Sequence, residues 1–221
     1  MENTHSVSKD VMEKIEAHAL EVMASYSGCH DHLHIQRVLA NARLIINQTS
    51  ECVDVSVVEL VCLLHDVGDA KLINTKTDDH TIAQKILDKY SVPSKVTDHV
   101  IQIIENLSYR GGNNQALETI EGQIAQDADR LDAIGAIGIA RCFAYGGSKN
   151  RMLWNPNNMP KEFATKEEYL ANNGDSLSHF YEKLFKLKDL MNTEAGKAIA
   201  EERDAFMHQF VDQFKREFLG Q

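Results

Sequence analysis

Apolar residues recur along this chain at helical spacing almost from end to end, and no stretch alternates as a strand would. Ser8-Lys9-Asp10 opens a predicted helix that runs to about Tyr26, with Val11, Ile15, Ala19 and Val22/Met23 on one face. Asp31 reads as the N-cap of the next, to about Gln48, with Leu33, Val38, Ala42 and Ile45 inward. Asp54 or Ser56 caps a third, Val57 to His65, which is apolar nearly all round and so belongs at the centre of a bundle. Gly68 ends it and starts a polar loop, Asp69 to Asp79.

Two more helices follow, about Thr81 to Tyr90 and Ser94 to Asn106, punctuated by Pro93. A long one then runs from about Gln115 to Ala144, with a candidate break near Gln126. Tyr145 to Pro160 is rich in Gly, Asn and Pro and is expected to be irregular. Two charged amphipathic helices, about Ser176 to Met191 and Thr193 to Phe218, complete the pattern. The expected fold class is all-α, an irregular multi-helix bundle. Residues 1–221 form one domain in this reading, with its core at about 30–140 and a helical extension at about 160–221.

Composition narrows the partners. With 221 residues, 43% of them hydrophobic, the chain is long enough to bury a real core. Its longest apolar runs, such as Ala133 to Ala140, fall far short of a membrane span. Met1-Glu2-Asn3-Thr4 lacks the basic and apolar character of a signal peptide. Cys29, Cys52, Cys62 and Cys142 lie far apart without close pairing, as reduced thiols of a cytoplasmic protein would. The formal charge of −10 argues against long nucleic acid, which needs a basic stripe. A small anionic substrate remains compatible, since a metal ion and a few local cations can invert the field inside one cleft.

Four residues carry the chemistry: His34, the adjacent His65-Asp66, and Asp129, each in a helical stretch. Imidazole and carboxylate hold divalent first-row metals while leaving positions open for water and substrate. His34 alone, one turn before Arg37, would more often be a structural histidine, and its case as a ligand comes from the residues that accompany it. His65-Asp66 is more telling, because a carboxylate and an imidazole at the end of an apolar helix are costly unless something pairs with them. Asp129 and Asp132 share a helix face, Asp127 points elsewhere, and the small residues Ala133, Gly135, Ala136, Gly138 and Ala140 place that helix in the core.

The order H…HD…D, with His65-Asp66-Val67-Gly68-Asp69 and Ala128-Asp129-Arg130-Leu131-Asp132, resembles the HD-domain metal-dependent phosphohydrolases over roughly residues 30 to 140. Tyr145-Gly146-Gly147-Ser148-Lys149 and His179 to Leu184 look like a bacterial subgroup of predicted HD hydrolases that includes nucleotide pyrophosphohydrolases. The resemblance implies a bundle of the HD-domain type with His34, His65, Asp66 and Asp129 as metal ligands. It implies Asp69, three residues past Asp66, as the catalytic acidic residue. Members with two or three metals carry two further histidines, the second in a His-His pair. His80 could stand at the first position, but Asn106-Leu107-Ser108 occupies the second, and His99 lies seven residues early. One divalent ion is therefore expected, Mn²⁺, Co²⁺, Ni²⁺ or Mg²⁺.

On this reading Asp69 orients or deprotonates water, and Lys71, Arg37 and Lys149 neutralise phosphoryl charge, Arg130 being a weaker candidate. The favoured reaction takes a (deoxy)nucleoside triphosphate to the monophosphate and pyrophosphate. Alternatives are 5′-nucleotidase action on monophosphates and a non-catalytic nucleotide-binding sensor. The expected partner is a small-molecule nucleotide, with no long nucleic acid and no membrane; a homodimer is left open.

Overall fold

A computed structural model describes residues 7–24, 32–67, 79–107, 116–163, 168, 172 and 174–221 of the protein. Among them the regular elements are all helical: α1 (Lys9–Met23), α2 (His32–Ile46), α3 (Val55–Leu64), α4 (Asp79–Lys89), α5 (Ser94–Leu107), α6 (Ile120–Asp132), α7 (Gly135–Ser148), α8 (Ser178–Glu182) and α9 (Glu194–Phe218). Two 3₁₀ turns, Leu184–Lys186 and Lys188–Leu190, lie between α8 and α9. The all-α class expected from the periodicity is what forms. The chain divides into two compact units, Met1–Asp129 and Arg130–Gln221, and the division falls within α6.

In the first unit the caps follow from local chemistry. Ser8 accepts from the Val11 amide at the start of α1, and Asp54 accepts from the Ser56 and Val57 amides at the start of α3. Asp54, not Ser56, is therefore the cap, and the helix begins two residues earlier than the apolar run suggests. The Asp31 and Gly68 signals lie outside the described residues.

Helix α3 buries Val57, Val58 and Leu60 to Leu64 and packs against α1, α2 and α5. Its all-round apolarity reflects that central place. Helix α2 departs from the expected face: Leu33 is exposed, while His34, Ile35, Val38, Ala42 and Ile45 are buried. Once His34 points inward, its neighbour Leu33 is carried about 100° round the helix and into solvent. Leu60 has no exposed surface. Truncating it to Ala should lower unfolding stability by about 2–5 kcal/mol through lost transfer energy and the cavity left behind. Urea denaturation followed by circular dichroism measures this, and a loss under 1 kcal/mol would show that α3 is not the centre of the unit.

The second unit contains two departures from the sequence pattern. The long helix expected to about Ala144 stops after Asp132 and restarts at Gly135, while Gln126 sits in unbroken helix. Gly135 has φ +73, and a Cβ there would lie 3.0 Å from Arg203 Cγ. Glycine is thus required by both the turn and the approach of α9. Arg203 Nη1 donates to the Leu131 carbonyl at 2.6 Å, and Arg141 Nη1 to the Asp132 carbonyl at 3.1 Å. These guanidinium groups satisfy carbonyls that the broken ladder leaves open.

The second departure is the segment Ser176 to Met191, which makes only the short α8 and the two 3₁₀ turns. Here Phe180, fully buried, and Phe143, Phe210 and Phe214 form a cluster with ring centroids 5.7–6.1 Å apart. Tertiary burial of aromatic rings has overridden the helical period. No described helix is long and apolar enough to cross a membrane.

Candidate metal centre

Three elements of the first unit bring the four predicted ligands together. Helix α2 presents His34 on its inward stripe, fully buried. The end of α3 supplies His65, which is its C-cap residue, and Asp66 directly after it. Helix α6 supplies Asp129. The His34 and His65 Nε2 atoms are 3.3 Å apart. Asp66 Oδ2 lies 3.3 Å from the first and 3.6 Å from the second. Asp129 Oδ1 lies 3.5 and 3.7 Å from the same two atoms.

The orientation of His65 is set locally. Its Nδ1 is 2.9 Å from the Cys62 carbonyl, which can only accept, so Nδ1 carries a proton in either charge state and Nε2 is left facing the cluster as the position that takes a second proton or a metal. This bond one turn back is what the apolar end of α3 provides.

The spacing fits a metal. Ligand atoms about 2.0–2.2 Å from one ion sit roughly 3.0–3.5 Å apart at octahedral or tetrahedral angles. The observed separations of 3.3–3.7 Å are at or just beyond that range. Two nitrogens and two carboxylate oxygens at such distances need a proton or a cation between them, and borderline N and O donors suit the divalent first-row ions. Ligand atoms of His34, His65 and Asp66 all lie within 4.8 Å of one another.

The metal-free electrostatics tell the same story. Burial works against charge on His65, yet the neighbouring Asp66 and Asp129 outweigh it and push the imidazole up to about 9. Burial likewise opposes ionisation of Asp129, but its hydrogen bond and attraction to His65, helped by His34, hold it well below the usual carboxylate range. A proton on His65 thus occupies the place a cation would take.

Arg37 lies on α2 one turn past His34 and is half-buried. Asp69 and Lys71 lie outside the described residues. Lys149 is exposed in the second unit, 5.7 Å from the centre of the Tyr145 ring. It is not on a flexible glycine loop: Gly146, Gly147 and Ser148 form the last turn of α7, and Lys149 is its C-cap. Gly146 is there for packing, since a Cβ would run into Ser176 Oγ.

Asp132 shares a face with Asp129 but is held by Arg141 at 2.5 Å, a structural ion pair. Arg130 donates to the Leu190 carbonyl rather than standing free for a phosphate. His80 Nδ1 is 3.6 Å from Glu105 Oε1, and His99 Nε2 is 3.1 Å from Thr119 Oγ1.

Asn41 has no such sequence signal. It is an amide in an apolar stripe, seven residues beyond His34, and it is buried. Its Nδ2 donates to the Ala128 carbonyl at 3.1 Å, next to Asp129. The one available cue is its register, two helical turns from a candidate ligand.

Known proteins share both sequence and fold with this chain. Residues 32–134 match the HD domain family model. YpgQ of Bacillus subtilis is 36% identical over 210 residues, 94% of each chain. The crystal structure of YpgQ in complex with ADP superposes with a TM-score of 0.72 at 33% identity, covering 93% of this chain and 97% of that one. A Lactobacillus plantarum structure gives a TM-score of 0.82 at 36% identity, covering 97% of this chain and all of that one. A Bacillus thuringiensis protein described as an HD-superfamily hydrolase gives 0.75 at 37% identity, covering 96% and 99%. With full-length likeness on one side and the H…HD…D residues gathered at one point on the other, the chain belongs to the HD-domain superfamily of hydrolases.

Proposed function

We propose that this protein is a metal-dependent nucleotide phosphohydrolase that converts (deoxy)nucleoside triphosphates to monophosphates and pyrophosphate. The observation that carries the reading is the approach of Asp66 and Asp129 to the paired His34 and His65 nitrogens, at 3.3–3.7 Å in one unit. The ADP complex of YpgQ supports a nucleotide as the ligand class.

His34, His65, Asp66 and Asp129 would hold one divalent ion, Mn²⁺, Co²⁺, Ni²⁺ or Mg²⁺. Such an ion supplies a Lewis acid and lowers the pKa of a water toward neutrality. The chain's own groups do the rest. Asp69 takes the proton of the attacking water on its carboxylate. Arg37, one turn from His34, and Lys71, shortly after Asp66, balance charge on the phosphoryl oxygens. Lys149 is retained as a cation for the leaving phosphates, on the strength of the subgroup resemblance alone.

Asp69→Asn should keep the metal and lower turnover by roughly 100-fold or more, as loss of a positioned acid–base group does. Metal content by elemental analysis and initial rates, measured on one preparation, separate the two effects. Full activity in the variant would remove Asp69 from the mechanism.

The reaction is tested by a panel of nucleoside mono-, di- and triphosphates with Mn²⁺, Co²⁺ and Mg²⁺, assayed separately for phosphate and pyrophosphate. Pyrophosphate from triphosphates is expected. Phosphate from monophosphates without pyrophosphate from any triphosphate would make the protein a nucleotidase. Saturable nucleotide binding without either product would make it a sensor.

A further inference from the structure

We infer that Asn41 is a positioning residue for the metal centre, setting where Asp129 stands relative to His34; the inference rests on the reading of those two residues as ligands. Asn41 and His34 lie seven residues apart on α2, two turns along the same stripe, and both are buried. The Asn41 Nδ2 donates at 3.1 Å to the Ala128 carbonyl of α6. The next residue of α6 is Asp129, whose Oδ1 is 3.5 Å from His34 Nε2. One side-chain bond therefore ties the helix that bears a nitrogen ligand to the residue preceding an oxygen ligand.

The chemistry of that bond suits the task. Apolar packing between helices is non-directional and tolerates sliding along the axis. An amide aimed at one particular carbonyl does not, because a displacement of about 1 Å turns a 3 Å hydrogen bond into no bond at all. Asn is also an awkward choice for a buried stripe otherwise made of Ile35, Val38, Ala42 and Ile45, since its desolvated amide must be satisfied. A purely structural stripe would be filled by an aliphatic residue. The axial register of α6 against α2 is what the amide adds, and metal coordination is the property most sensitive to it: outer groups that orient ligands commonly govern 10–100-fold in affinity.

The test compares Asn41→Leu, which removes the donor while keeping the same heavy-atom branching, with Thr97→Val. Thr97 is also buried in the first unit and donates through Oγ1 to the Val92 carbonyl at 3.4 Å, away from any ligand-bearing element. Both full-length variants are titrated with Mn²⁺ by calorimetry and with Co²⁺ by visible absorption, which reports ligand geometry. Unfolding is followed alongside. Asn41→Leu should bind Mn²⁺ about tenfold or more weakly with a changed Co²⁺ spectrum. Thr97→Val should lose stability while keeping both wild-type metal signatures.

Unchanged affinity and spectrum in Asn41→Leu overturn the inference. So does an equal loss in Thr97→Val, which would make metal binding a mere readout of stability. If Asn41→Leu does not fold, Asn41→Thr, too short to reach the carbonyl, is read by the same two outcomes. A wild-type protein that takes up neither Mn²⁺ nor Co²⁺ refutes the metal-site reading itself, and is told apart because no variant is needed to see it.

Discussion

His65→Ala, and equally Asp66→Ala, should abolish stoichiometric metal binding and turnover together. His65 Nε2 stands within 3.3–3.7 Å of all three other candidate ligand atoms, so its removal opens one side of the cluster. Asp66 Oδ2 lies against both imidazoles. A group that only orients a ligand is commonly worth 10–100-fold in metal affinity, and the ligand itself should be worth at least that much. The metal-free protein suffers as well, since deleting His65 removes the positive charge that balances Asp129 and leaves a partly buried carboxylate with less to compensate it. Metal content after dialysis, turnover and thermal unfolding should be read on the same samples. His80→Ala serves as the comparison, because its Nδ1 faces Glu105 at a half-exposed site. A His65→Ala protein that still holds one ion per chain would remove this histidine from the centre.

The helical class was legible because amphipathic periodicity is a local property. Helix α3 shows it best: Val57 to Leu64 is apolar on every side and sits at the centre of its unit. The candidate site was legible for a different reason. His65-Asp66 at the end of an apolar helix contradicts packing, and a contradiction of that kind marks a ligand or a partner. Less legible were the features that depend on a distant residue. The stop after Asp132 needs Arg203 and Arg141 to serve the open carbonyls. The short α8 needs Phe143, Phe210 and Phe214 around Phe180.

Glycine misleads in the same way. Gly146-Gly147 reads as a flexible loop by composition, but Gly146 is small because Ser176 crosses it. The exposure of Leu33 could have been found from periodicity alone, had His34 been counted among the inward positions. Asp132 and Arg130 show the limit of spacing arguments. Both lie within one turn of Asp129, yet one is held by Arg141 and the other by a carbonyl.

Metal affinity should rise steeply with pH, by about tenfold per unit, up to about pH 9. In the metal-free protein His65 is held protonated up to about 9, burial resisting and Asp66 and Asp129 prevailing. A metal needs the neutral Nε2, so each ion bound at pH 7 must displace about one proton. Asp129, already ionised through the whole range, adds no proton of its own. Between pH 6 and pH 8.5 the apparent dissociation constant for Mn²⁺ should therefore fall by about two orders of magnitude, measured against a chelator of known pH dependence. The linked effect on stability has the opposite sign. The raised pKa stabilises the metal-free fold fully below the ordinary histidine value of about 6.5, and that contribution is lost as pH rises through about 9. Metal-free protein should accordingly melt at lower temperature at pH 9 than at pH 6.5, and a saturating ion should protect it more at the higher pH. Calorimetric titrations at pH 7 in buffers of different ionisation enthalpy count the released proton directly. An enthalpy independent of buffer would mean that His65 is neutral before the metal arrives, and the charge balance drawn for the centre would be wrong.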